Sequence, residues 1–303
     1  MFEGCGYLNS ANVSEHVDLY LYTANRMFKG CSKITDESVA NFTAELYDNK
    51  LRSVNSMFAE CNTITAIPVT FGQIHFAQSA ADMFYNCTSL SCRIDEIWRD
   101  DIYGFNYLTN ASGMFRYSAV GGRWYLKMPN VVNCCSMFEN TDIEFFGYQA
   151  NSINENLQLG VLSNASFMFS GANQLSECYI SMPQVQNANW MFNNCTSLSF
   201  VSELYMPELH KSASMFKNCS ALSSITLDSV YNMDVCYEMF AGCANLRTIT
   251  LKSRDGGNGW CNWNWTSHMF ATDGDLTITT DSNAHYEILQ SASDATGMFA
   301  GYK

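Results

Sequence analysis

Twelve Met-Phe pairs punctuate the chain, beginning at positions 1, 27, 57, 83, 114, 137, 168, 191, 215, 239, 269 and 298. Successive pairs lie 23 to 31 residues apart, a range in which self-similarity marks a solenoid or array. They account for twelve of the sixteen methionines. Met1 is in phase with the rest: Met27 follows 26 residues later, and Cys5 and Leu8 fall at repeat positions, so Met1 reads as a motif methionine.

The unit is clearest where it is shortest, in "MFKNCSALSSITL" from Met215 and "MFAGCANLRTITL" from Met239, which share the pattern MFxxCxxLxxIxL. Its end alternates apolar residues two apart among threonines, as a short strand with one buried face does. The Met-Phe part follows small polar residues, as in "SASMF", "VNSMF" and "NANWMF", which suit the capping of a single helical or turn-like segment. Met128-Pro129, Met182-Pro183 and Met206-Pro207 each precede a Met-Phe pair by nine residues. Proline has no amide donor, so this dipeptide marks the corner where a strand leaves its ladder. The apolar side chains of one such coil cannot offset the backbone entropy of ordering it. Stability must come from stacking coil on coil, with strands hydrogen-bonded and apolar rows in register.

The combination of MFxxC with LxxIxL resembles the BspA-like leucine-rich repeats of bacterial surface and phage-associated proteins, in a variant with Met-Phe rather than Ala-Phe before the cysteine. The resemblance covers essentially the whole chain. It weakens from about Cys92 to Gly171, where "MFRYS", "MFENT" and "MFSGA" lack the cysteine, and in "MFATD" and "MFAGY". It implies a curved leucine-rich-repeat-like, right-handed solenoid used for recognition or adhesion. The expected fold is one continuous array over residues 1–303, of about eleven coils. A short-stranded parallel β-sheet would form one face and irregular or short helical segments the other. Longer, less regular coils are expected at about 92–170 and 252–297. Because the chain begins and ends inside a motif, it is expected to belong to a larger chain or assembly, or to associate end to end.

The 16 Lys and Arg against 29 Asp and Glu give a formal charge of -13. That balance opposes nucleic acid and anionic membrane as partners, since both need basic surface to displace counterions. No apolar run is long enough to span a bilayer and no signal peptide is visible, so direct membrane insertion is not expected.

Seven cysteines share one motif phase: Cys5, Cys31, Cys61, Cys87, Cys195, Cys219 and Cys243. Equivalent positions point the same way, so they read as a structural ladder of small buried thiols rather than as disulfides. The other cysteines and the five histidines show no paired zinc spacing, and no nucleophile elbow, HExxH or phosphate loop occurs. Neither a metal, a cofactor nor a catalytic residue is therefore expected. The glycine-rich "RDGGNGW" at Arg254 reads as a loop between coils. Asp273 and Asp275 fall short of a calcium loop. Recognition is expected where long coils carry aromatics, at Trp98, Tyr103, Trp124, Trp260, Trp263 and Trp265, since rigid aromatics on loops held by a stiff scaffold suit protein or sugar surfaces. The alternative for each is that it fills a wider coil.

The function expected is thus non-enzymatic binding to a protein or glycan of a cell surface, in an extracellular or surface-exposed setting. The alternative is a structural module of a virion fibre, spike or decoration, or of a surface assembly, in contact with neighbouring subunits.

Overall fold

The computed structural model describes residues 2–9, 21–44, 51–67, 76–93, 105–125, 127–147, 157–230, 233–252, 267–269 and 276–280. The chain divides into two compact units, Met1–Ile143 and Glu144–Lys303.

The repeat builds the same local structure in both units. Around Met27, the N–H groups of Met27, Lys29 and Cys31 reach back three residues to Ala24, Arg26 and Phe28, closing successive turns. The intervening N–H groups of Arg26, Phe28 and Gly30 point to the next coil instead, donating to the carbonyls of Asn55, Met57 and Ala59 at 2.8–2.9 Å. Alternate amides thus close the turn and join the coils, which leaves no backbone donor of the segment unpaired. The second unit repeats the scheme: Met191, Asn193 and Cys195 close turns while Trp190, Phe192 and Asn194 donate to Ala213, Met215 and Lys217.

Such winding requires a left-handed residue just before the methionine and another just before the cysteine. Positive φ recurs at both places, as at Ser56 and Glu60, Asp82 and Asn86, and Ser214 and Asn218. Most residues before the cysteine phase are Gly or Asn for this reason, since they enter the left-handed region at least cost. The expected "single helical or turn-like segment" is therefore a turn ladder.

In the first unit the motif phenylalanines Phe2, Phe28, Phe58, Phe84, Phe115 and Phe138 stack ring on ring, with centroids 5.4–5.6 Å apart and planes within 14°. Parallel bridges tie Thr23 to Ser53, Ser53 to Ser79, Ser79 to Asn110 and Asn110 to Asn133. Asn side chains reinforce this line: Asn25 Oδ1 accepts from Ser53 Oγ (2.6 Å) and the Asn55 amide (2.8 Å) of the following coil. Helix α1 (Asp36–Ala44) occupies the place after Ile34 where the repeat predicts a strand. Its sequence explains the change, because Asp36 and Glu37 sit in the first turn and Val39 and Phe42 bury one face. Thr35 caps it, its Oγ1 accepting from the Ser38 amide. Strand β1 (Gly121–Trp124) lies in the same unit.

Strand β2 (Asp142–Phe146) ends within the second unit, followed by β3 (Leu157–Gln158), β4 (Glu177–Cys178), β5 (Ile180–Ser181), β6 (Phe200–Val201), β7 (Leu204–Tyr205), β8 (Ser224–Asp228), β9 (Thr248–Lys252) and β10 (Thr277–Thr280). Every pairing among them is parallel. β2 pairs with β4 and β4 with β6; β3 pairs with β5; and β7, β8, β9 and β10 form one ladder. The predicted LxxIxL strands are β8 and β9, in which Ile225 faces Ile249 and Leu227 faces Leu251, all buried. Within the second unit, Phe169, Phe192, Phe216 and Phe240 form a ring stack of their own at 5.2–5.5 Å. The Met-Pro corners are also present, with Val185 and Leu209 donating to the carbonyls of Met182 and Met206 just after β5 and β7. The fold is a leucine-rich-repeat-type solenoid of parallel coils, with a strand ladder, a turn ladder, and a core of Met, Phe, Leu and Cys rows between them.

Candidate functional site

The cysteine phase holds six of its seven expected members in the core: Cys31, Cys61, Cys87, Cys195, Cys219 and Cys243 are fully buried. Each thiol donates to the carbonyl of the motif phenylalanine one coil earlier, at 2.9–3.0 Å. Burial pushes the thiols upward, to about 12 for Cys87 and Cys243, so they remain protonated and poor nucleophiles. The described cysteines are all free. Cys5 departs from the expectation. It is exposed.

Where the cysteine is missing, the coil finds another solution. Ser118 and Thr141 turn their hydroxyls to the carbonyl of their own coil's phenylalanine, Phe115 at 2.6 Å and Phe138 at 2.9 Å.

Of the aromatics expected to meet a ligand, Trp98, Tyr103, Trp260, Trp263 and Trp265 lie outside the described residues, as do "RDGGNGW", Asp273 and Asp275. Trp124 is a correction. Its ring is wholly buried, stacked on Phe105 and set edge-on to Phe115 and Phe138. It fills the core of a wider coil and offers no face to a ligand. Among the described residues, no group of three or more His, Cys, Asp or Glu converges as a metal site, and no helix is long and apolar enough to cross a membrane.

The surface aromatics that the structure does assemble lie at repeat positions of the second unit. On the strand ladder, Phe145 stacks on Tyr179 with centroids 5.4 Å apart, and Tyr179 meets Phe200 at 5.0 Å with the planes tilted by 34°. Phe145 is buried, Tyr179 is half-buried, and Phe200 is 44% exposed. The Tyr179 hydroxyl donates to Glu177 Oε2 at 3.0 Å. Beyond Phe200, the outward positions become hydroxyls in register: Ser224, Thr248 and Thr277 in one row, Thr226, Thr250 and Thr279 in the next. Thr279 Oγ1 donates to Thr250 Oγ1 at 3.1 Å. Lys252 and Glu203 form an ion pair at the side of this face.

On the turn ladder, Phe167 and Trp190 stack with centroids 4.9 Å apart and planes 11° apart. Both sit just before a motif methionine at positive φ, 57° and 54°. That conformation costs a bulky residue about 1–2 kcal/mol. In the next coil, Lys217 Nζ lies 2.8 Å from Glu238 Oε2. This bond holds the Glu238 carboxyl below its ordinary range, with a further contribution from Ser214 Oγ.

In the first unit the turn ladder carries a different cluster. The Arg116 guanidinium lies over the rings of Tyr85 (4.6 Å) and Tyr117 (5.7 Å) and pairs with Asp82 at 3.6 Å.

Sequence reasoning looked for recognition in the irregular long coils and so missed both assembled pairs. The signal was present in phase: Phe200 stands two residues after the repeat leucine Leu198, where the two following coils place Ser224 and Thr248 after Leu222 and Leu246, and Trp190 interrupts the small polar residues before Met191.

No protein-family model matches the sequence, and comparison with curated proteins returns no match. Among solved structures, the chain is similar to a leucine-rich repeat protein from Bacteroides ovatus, at 14% identity over 92% of this chain and 79% of that one, with a TM-score of 0.37.

Proposed function

We propose that this chain is a non-enzymatic binding solenoid that recognises a protein or glycan surface outside the cell, through the outer face of its second-unit strand ladder. The observation that carries this reading is the Tyr179–Phe200 pair. Phe200 is 44% exposed at a strand position paired with Glu177, while the outward positions of β8, β9 and β10 carry hydroxyls. A large aromatic held in water by a rigid ladder gains by being covered, and aromatic anchors dominate binding energy where they are desolvated. Around it, Glu177, the Glu203–Lys252 pair and the Ser/Thr rows supply a polar rim. The strands hold these groups at fixed spacing, which lowers the entropy lost on association. Buried, protonated thiols and the absence of a nucleophile motif leave binding as the reading with physical support.

The test is surface plasmon resonance against purified extracellular-matrix and cell-surface proteins and their deglycosylated forms. The Tyr179→Ser, Phe200→Ser double variant should lose at least about tenfold in affinity for whichever surface the wild type binds. Equal binding by the variant, or no binding by the wild type, would end the reading.

A further inference from the structure

We infer that the turn ladder of the second unit carries a second binding site, a platform for a neutral hexopyranose ring formed by Trp190 with Phe167 behind it and Lys217 and Glu238 at its edge. Elsewhere the position before the motif methionine holds Arg, Ser, Asp, Gly, Glu or His. Only at Phe167 and Trp190, among the described residues, is it aromatic, and there in two successive coils. Bulky residues in this conformation are strained, and such strain gathers at ligand clamps.

The stack also stops where a ligand could continue it. Phe167 covers one face of Trp190. One coil further, where a third ring would lie against the other face, the position is taken by Ser214, a small side chain buried against the turn. Trp190 itself is half-buried. The same coil and the two that follow carry polar groups of fixed position. Lys217 and Glu238 bond each other at 2.8 Å, and Ser214 Oγ donates to the same Glu238 oxygen at 3.4 Å. The amide of Asn218 donates to Asn194 Oδ1 at 2.8 Å, and that of Asn194 to Asn193 Oδ1 at 2.8 Å, in a chain along the exposed edge.

A pyranose matches this arrangement. Its axial C–H groups carry partial positive charge and suit the negative face of an indole ring, while its equatorial hydroxyls both donate and accept. Glu238 accepts, Lys217 donates, and the asparagine amides do both. The Lys217–Glu238 pair is neutral overall and the chain carries a net charge of -13, so the ligand favoured is an uncharged sugar rather than a uronate or sialoside.

The site is independent of the strand-face reading, and the test separates the two. The full chain is applied to an array of neutral gluco-, galacto-, manno- and N-acetylhexosamine oligosaccharides together with sialylated and uronate glycans. Hits are then titrated by tryptophan fluorescence with the soluble oligosaccharide. Neutral oligosaccharides should bind. Trp190→Ser should weaken them about tenfold while Trp190→Phe, which keeps a ring in the stack, stays within about threefold. Glu238→Gln should weaken them with no change in circular dichroism, and Phe200→Ser should leave them unaffected. The proposal is overturned if no neutral saccharide binds, if binding is confined to acidic glycans, or if Trp190→Ser binds as tightly as wild type. Loss on Phe200→Ser with Trp190→Ser unaffected would likewise overturn it, in favour of the strand ladder.

Discussion

The Cys219 thiol donates a 3.0 Å hydrogen bond to the carbonyl oxygen of Phe192, one coil earlier in the chain. That oxygen already accepts the Cys195 amide at 3.1 Å, so the thiol uses the carbonyl's second lone pair and ties two coils together at a buried point. The position asks for a small side chain with one weak donor, which is what cysteine supplies. Cys219→Ala removes the donor and leaves a small void, and should cost about 1–2 kcal/mol in urea denaturation. Unchanged stability would show that the thiol bond is incidental to packing.

The same ladder predicts a response to alkali. Folding raises Cys87 and Cys243 from an ordinary 9.0 to about 12, chiefly by desolvation. Their contribution is present in full below pH 9. It is lost as pH climbs from there to about 12, because the unfolded chain releases protons that the folded one retains. Each thiol should steepen the decline by about 1.4 kcal/mol per pH unit within that window. Denaturation midpoints measured from pH 7 to 10.5 should therefore fall, and fall less in a Cys87→Ala, Cys243→Ala variant. Alkylation at pH 8 should label Cys5 in the native protein and reach the six buried ladder thiols only in denaturant; native labelling of Cys219 would contradict the burial.

Two left-handed positions test the winding. Gly147 has φ of 87°, and a Cβ there would meet the Tyr179 carbonyl oxygen at 2.0 Å. That oxygen is backbone, so Gly147→Ala should destabilise by about 3 kcal/mol or more, combining left-handed strain with a clash that only a coil shift relieves. Asn218, by contrast, holds φ of 62° with an exposed side chain. Asn218→Gly should fall within about 1 kcal/mol of wild type. Thermal denaturation of the two variants checks both expectations; a Gly147→Ala protein as stable as wild type would contradict the clash with Tyr179.

Much of this architecture was legible because a solenoid writes its geometry into a period. Ile225, Leu227, Ile249 and Leu251 alternate as strand residues and are paired as such, and the Met-Pro corners fall where proline's missing donor puts them. The turn ladder was half legible. Gly30, Asn194 and Asn218 signal the left-handed position before the cysteine, but Glu60 and Tyr117 occupy it too, because ladder bonds to the next coil override local preference. Helix α1 was hidden by its place in the repeat, although Thr35, Asp36 and Glu37 form a recognisable helix start. The candidate site was the least legible part. Trp124 looks like any surface tryptophan in sequence, and only the packing of Phe105, Phe115 and Phe138 around it shows that it is core. Phe200 and Trp190, conversely, stand in regular coils, and their exposure follows from which side of the ladder their phase faces.

Ser202 provides the last test, where two coils of unequal length must share a ladder. Cys178 pairs with Val201 and Leu204 with Leu227, and Ser202 lies between these two paired segments. The buried Ser202 hydroxyl accepts from the Ile180 amide at 3.0 Å and donates to the Ile180 carbonyl at 3.1 Å. One side chain therefore satisfies both polar groups of a fully buried residue. Ser202→Ala should strand them and cost about 2 kcal/mol, whereas Ser199→Ala, which removes an exposed hydroxyl bonded to Ser176, should stay within about 0.5 kcal/mol. Amide hydrogen exchange supplies the local readout, with the Ile180 amide losing protection in the Ser202 variant while the Ile225 and Ile249 amides keep theirs. Retained protection at Ile180 would mean that water or a shifted backbone replaces the hydroxyl, and that the irregular coil is not pinned by this residue.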